Sequence, residues 1–117
     1  MSSGHFTATV TALADVVLIP CIGRERLAIS FVVGAANLSD VDIGGKVADD
    51  QGYAVLATAT GDFTTPVFPV IKASSDLGAA ASGATVHWIV IDCRGWHTIR
   101  LRAAGTASTV TGAWTAV

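Results

Sequence analysis

The stretch Arg26-Leu27-Ala28-Ile29-Ser30-Phe31-Val32-Val33 decides the fold. Successive side chains of an extended chain point to opposite faces, so Leu27, Ile29, Phe31 and Val33 share one side while Arg26, Ala28, Ser30 and Val32 share the other. The first set is a core face, and the pattern is that of a half-buried strand. The alternation recurs further along: Ile99 and Leu101 point inward where Arg100 and Arg102 point out. Short β-branched runs, Val16-Val17-Leu18-Ile19 and Trp88-Ile89-Val90-Ile91, are separated by Gly, Asp, Asn and Ser. Candidate strands cover residues 6–13, 16–22, 26–33, 41–47, 53–60, 66–73, 85–92, 98–104 and 108–116. No window carries the i, i+3, i+4, i+7 spacing of a useful helix. The chain is therefore read as all-β, a single antiparallel β-sandwich of jelly-roll or immunoglobulin-like type with about eight to nine short strands. One domain spans residues 1–117, and residues 1–5 are either a flexible N-terminal lead or an arm that reaches a neighbour.

Punctuation refines this outline. Pro20 cannot donate to a ladder, so its strand belongs at a sheet edge or breaks there, and Pro66 and Pro69 make the same case for residues 66–73. Gly44-Gly45 marks a bulge or a tight corner. Arg94-Gly95-Trp96 has the length and the glycine of a three-residue hairpin loop. Residues 74–83, rich in Ser, Ala and Gly, read as a surface loop.

Half of the 117 residues are hydrophobic (51%), only 14% are charged, and the formal net charge is −2. A chain this small has much surface for its volume, so a monomer would leave part of that apolar area in water. A subunit of an assembly would not. No apolar run reaches the length of a membrane span, so no membrane partner is expected. The seven Lys and Arg are scattered, without the clustered stripe that phosphate neutralisation requires, which argues against nucleic acid. The start, Met1-Ser2-Ser3-Gly4-His5-Phe6, lacks the basic and apolar regions of a signal peptide, so synthesis in the cytoplasm is expected. In a reducing compartment Cys21 and Cys93 are read as buried thiols rather than a disulfide.

Chemistry-bearing residues are sparse. His87 alternates with Ile89 and Ile91 and reads as a hydrogen-bonded histidine of a strand face; His97 would approach it across the expected hairpin. Two histidines without a third ligand in a recognisable spacing do not make a zinc site. Asp40, Asp42, Asp49 and Asp50 invite a calcium reading, yet Asp-Asp-Gln-Gly is turn chemistry and the twelve-residue calcium loop is missing. There is no Gly-x-Ser-x-Gly elbow, no Ser-x-x-Lys and no phosphate-binding glycine loop. Glu25 with Asp92 is one of many carboxylate pairs any such chain offers. The expectation is a protein that is not an enzyme and needs no cofactor or metal. Among aromatic residues, Trp88 reads as core or interface, whereas Trp96 beside Arg94, and Trp114 in a Thr-rich strand, are candidate interface or ligand contacts.

Two segments carry a resemblance. Leu27-Ala28-Ile29-Ser30-Phe31-Val32-Val33-Gly34-Ala35, then Val41-Asp42-Ile43 and Asp49-Asp50-Gln51-Gly52-Tyr53, resembles the strand, acidic turn and aromatic units of small virion proteins of tailed bacteriophages. The closing segment, Gly95 to Ala103 followed by Gly105 to Gly112, is similar to the Ile-Arg-Leu and Thr/Gly-rich ending of the same proteins. Residues 74–83 depart from the pattern, and no functional residues carry over. The resemblance implies a small sandwich assembled onto a virion in many copies. The role expected is capsid decoration (cement), by a homo-oligomer, preferably a trimer, bound to the major capsid protein or other virion proteins. Its contacts would come from apolar area and from backbone pairing along edges near Pro20 and Pro66. The alternatives are a small tail, head-tail or baseplate component, and a carbohydrate-binding module that stacks sugars on Trp96.

Overall fold

The computed structural model describes residues 1–58, 60–74 and 86–117. Its described residues form nine strands and one helical turn: β1 (Ser2–Val10), β2 (Ala14–Pro20), β3 (Arg26–Gly34), β4 (Leu38–Lys46), β5 (Ala54–Ala57), α1 (Thr60–Thr64), β6 (Val70–Ala73), β7 (His87–Asp92), β8 (Thr98–Gly105) and β9 (Ser108–Ala116). Each candidate strand has a counterpart. Most of the loop expected at 74–83 lies outside the described residues. No helix among the described residues is long and apolar enough to cross a membrane.

Two antiparallel sheets face each other, one in the order β1-β9-β3-β7-β6 and the other in the order β2-β8-β4-β5. The pairings are nested: β1 with β9, β2 with β8, β3 with β7. They are the two sides of one long ribbon, folded over so that β9 also joins β3 and β8 also joins β4. That is jelly-roll connectivity. An immunoglobulin-like sandwich would keep its first two strands in one sheet, whereas β1 and β2 lie in different sheets.

This winding corrects two expectations. Arg94-Gly95-Trp96 is not a hairpin loop, because β7 and β8 belong to different sheets. It lies in a crossing that runs beside the β2–β3 crossing, each opening on a cysteine. The Cys21 N–H donates to the His97 carbonyl at 2.9 Å and the Cys93 N–H to the Glu25 carbonyl at 3.0 Å. Gly95 takes a positive φ of 84° here, so the same glycine that suggests a hairpin serves a sheet crossing. Residues 2–5 are neither lead nor arm: Ser2, Ser3, Gly4 and His5 pair with Ala116, Thr115, Trp114 and Ala113.

Leu27, Ile29, Phe31 and Val33 are buried as their alternation demands, and share one core with Ile19, Ile43, Ile99 and Leu101 of the other sheet. Full burial of side chains of this size contributes roughly 1.5–3 kcal/mol each. The expected strand at 53–60 ends early, at Ala57, and α1 follows. Its Asp62 accepts the Thr58 N–H at 3.0 Å, and Phe63 is fully buried in the core. Pro20 closes β2 and Pro69 precedes β6, both edge strands. The β4–β5 register shifts between Ile43 and Gly44, at the expected bulge.

Candidate functional site

The outer faces of the two sheets differ in kind. On the four-stranded sheet, β8 presents Arg100 and Arg102 alternately with the core residues Ile99, Leu101 and Ala103. Arg102 grips Asp42 of β4 bidentately, Nε to Oδ1 at 2.9 Å and Nη2 to Oδ2 at 2.6 Å. Asp42 is only 2% exposed, and the fork geometry supplies two charge-assisted bonds to it. Arg100 Nε lies 3.7 Å from Asp15, and its guanidinium sits 4.2 Å from the centre of the Tyr53 ring. The Lys46 ammonium approaches the same ring at 5.3 Å and Asp49 at 3.7 Å. Charge on this face is largely paired within the face.

The five-stranded sheet is the opposite. Its edge strand β1 and its neighbour β9 contain no Asp, Glu, Lys or Arg. Alternation places Thr7 and Thr9 beside Thr111 and Thr109, and Ala113 beside Ser30. The Thr9 and Thr109 hydroxyls lie 3.4 Å apart. The charged residues in the strands of this sheet are Arg26 and Asp92, opposite each other at one end of β3 and β7, and Lys72 on the edge strand β6. A shallow groove of about 180 Å³ runs across β9, β3 and β7, with Ala28, Ser30, Ala113 and Trp88 among its lining residues. Trp88 is 38% exposed, its neighbours His87 and Ile89 being buried, and the Lys72 ammonium stands 5.8 Å from its ring centre. Trp88 is therefore a surface residue, not core.

The sequence-derived site residues do not converge. Arg94 is exposed, and its guanidinium closes on its near neighbour Asp92 at 3.0 and 2.6 Å. Those bonds hold the Asp92 carboxyl below its usual range. Trp96 is half-buried and covers Gly45: a Cβ there would meet the indole at 2.7 Å. Its exposed side joins Ile22, Val47 and His97 around a groove of about 350 Å³. Trp114 lies on another pair of strands, folded over Gly4 of β1, where a Cβ would meet the ring at 2.7 Å. Arg94 and Trp96 share a connection; Trp114 is separate.

The histidines do not meet across a hairpin either. His87 is fully buried with its ring 5.5 Å from that of Phe31. His97 is at the opposite end of the sandwich, its Nδ1 2.7 Å from the Thr98 hydroxyl. Asp42 is engaged by Arg102 and Asp49 by Lys46. Among the described residues no three His, Cys, Asp or Glu side chains gather as a metal site. The feature the sequence reading missed is the continuous uncharged face. Its signal was present in the charge-free β1 and β9, but only the nested pairing makes those two distant segments neighbours.

No protein-family model matches the chain, and no curated protein is similar to it in sequence. Among solved structures, the chain is similar to the SPBc2 prophage-derived protein YomS, with a TM-score of 0.61 and 9% sequence identity. The match covers 99% of this chain and 94% of that one. At that identity the likeness concerns the fold.

Proposed function

We propose that this chain is a structural subunit of a bacteriophage particle, present in many copies, and that its role is capsid decoration: a cement protein that binds and stabilises the head lattice. The observation that carries the reading is the uncharged outer face of the five-stranded sheet. A face that is mostly Thr, Ser and Ala with an exposed Trp, its charge confined to Arg26, Asp92 and Lys72 at the margin, loses less on leaving water than a face of ions, because few charges have to be desolvated. The whole-chain likeness to a prophage-derived protein supports the same reading.

The edges refine it. The sequence reading placed backbone pairing near Pro20 and Pro66. Those edges, β2 and β6, are the guarded ones: each is interrupted by a register shift and flanked or closed by proline. β5 has only four residues. β1 has nine, without proline, formal charge or bulge, and such an edge is a template for a further strand. In the proposed particle β1 and the adjoining face make the contacts, within a trimer and between the trimer and the major capsid protein.

Light scattering over a concentration series tests the first half of the proposal. A closed trimer is the expected result, followed by co-sedimentation with empty heads of the same phage. A chain that stays monomeric and leaves such heads unbound overturns the reading. A carbohydrate-binding module is the second reading, and the exposed Trp88 beside its groove favours that ring over the half-buried Trp96. Quenching of tryptophan fluorescence by one member of a glycan panel, abolished in Trp88→Ala, would put it first.

A further inference from the structure

Two adjacent crossings close one end of the sandwich, and both begin with a cysteine. Cys21 follows the last residue of β2 and Cys93 follows the last residue of β7, so one belongs to each sheet. The crossings are five residues long and antiparallel. The opening residue of each donates its N–H to the closing residue of the other, Cys21 to His97 and Cys93 to Glu25. This reciprocal pair of bonds holds the two crossings side by side, with one cysteine on each. Both are free and buried, at 1% and 0% exposure, and each thiol is close enough to the other to influence its ionisation.

We infer that Cys21 and Cys93 are an intrachain disulfide site, reduced where the protein is made and closed when it meets a disulfide oxidant, tying the two sheets together at this end. The alternatives are few, because the chain has two cysteines, each is the other's one possible intrachain thiol partner, and both are buried. The step balances with oxidised glutathione as the oxidant. The Cys93 thiolate attacks one glutathione sulfur, and the glutathione thiolate that leaves takes up a proton. The Cys21 thiolate then attacks the Cys93 sulfur of the mixed disulfide and expels the second glutathione, which is protonated in turn. Two protein thiols are oxidised and one glutathione disulfide is reduced to two thiols.

Burial sets the rate. It pushes the Cys21 thiol up to about 12, helped by Cys93 beside it, and it raises Cys93 as well. The attacking thiolate is therefore scarce, and the oxidant needs the crossings to open. Closure is slow, and a brief exposure leaves the dithiol intact. The inference goes beyond the particle reading and stands without it, since no partner enters the chemistry. In a particle that leaves its host, the tie would form only after release.

The test uses the whole purified chain, held in oxidised glutathione at a temperature just below its melting transition and, separately, refolded from denaturant into a glutathione redox buffer. The expected product is monomer-derived, lighter by about 2 Da and resistant to alkylation until reduced. Peptide mapping should link Cys21 to Cys93, and Tm should rise on the order of 10 °C and fall back with dithiothreitol. Cys21→Ala should yield only a glutathione adduct on Cys93. Free thiols at the end of both treatments, stable glutathione adducts on both wild-type cysteines, or links only between chains would each overturn the inference. The wild-type result decides the matter even where the variant fails to fold.

Discussion

The two outer faces of the sandwich are built from strands of similar length and solve the problem of the exposed side in different ways. The four-stranded sheet carries Arg100, Arg102, Asp42, Asp15 and Lys46, and pairs them among themselves. The five-stranded sheet carries almost no charge, and its middle is threonine, serine and alanine. A charged face remains hydrated and resists burial, since each ion would have to be stripped of water. An uncharged face has no such resistance. The difference teaches where an assembly of this chain would make contact: the paired charge borne by the strands lies mostly on one side, leaving most of the other easier to cover.

The largest effect expected on the comparison comes from the centre of the uncharged sheet. Gly112 of β9 sits between β1 and β3, and a Cβ there would run into the Ser30 carbonyl and lie 2.7 Å from the Phe31 Cβ and 2.8 Å from the Phe6 ring. Backbone cannot swing aside as a flexible side chain can. Gly112→Ala should cost about 3 kcal/mol or more, read as a drop in the denaturation midpoint or as loss of soluble protein. A variant with wild-type stability would mean that β9 sits differently between its neighbours.

On the charged sheet the corresponding weak point is the Asp42–Arg102 pair, and its two halves are unequal. Arg102→Ala leaves a carboxylate that is 2% exposed without its partner, for a cost of about 3 kcal/mol. Asp42→Ala leaves a guanidinium that already reaches solvent and can turn outward, so about 1–2 kcal/mol is expected. Urea unfolding of both variants checks the order. Equal losses would show that the charge on this face is not held as tightly as its geometry requires.

Placing the same charge on each face sharpens the contrast directly. Thr111 and Leu18 are both exposed strand residues, Thr111 on the uncharged face and Leu18 opposite Arg100 on the charged one. Thr111→Glu and Leu18→Glu should each change stability by no more than about 1 kcal/mol. They should differ in association. Thr111→Glu is expected to shift the scattering mass of the assembled form to the monomer, whereas Leu18→Glu keeps it. If Leu18→Glu dissociates the assembly and Thr111→Glu does not, contact is made by the charged face.

The strands were legible because their pattern is local. Leu27, Ile29, Phe31 and Val33 announce a face without reference to anything else in the chain, and Pro20, Pro66 and the two glycines at 44 and 45 mark an edge or a bulge by local stereochemistry. The connectivity was not legible. Gly95 with its positive φ serves a hairpin and a sheet crossing equally well, and the choice is made by the bonds from Cys21 to His97 and from Cys93 to Glu25, partners about seventy residues apart in sequence. The roles of Gly4 and Gly45 were hidden for the same reason, since each is a bed for a tryptophan that arrives from a distant strand or connection. α1 is a single turn, too short to show a helical period. The candidate face is therefore a property of the winding, assembled from β1 at one end of the chain and β9 at the other.

The smallest effect belongs to the ion pair where the two faces meet, Asp92 with Arg94 at the end of β7. Arg94 donates to both carboxylate oxygens and offers its backbone N–H at 3.2 Å, which holds the Asp92 carboxyl below the usual carboxylate range. A carboxylate whose folded-state pKa is depressed binds protons more readily when unfolded, so its contribution is fully present above the unfolded value and is lost as pH falls through the folded one. Arg94 is 66% exposed in its side chain, and solvent screens the pair heavily. Asp92→Asn should therefore lower Tm only slightly at neutral pH. The gap between variant and wild type should close as pH drops below about 4, and should shrink with added salt at neutral pH. A gap that persists unchanged into acid would show that Asp92 acts by its shape and its hydrogen bonds to the crossing rather than by its charge.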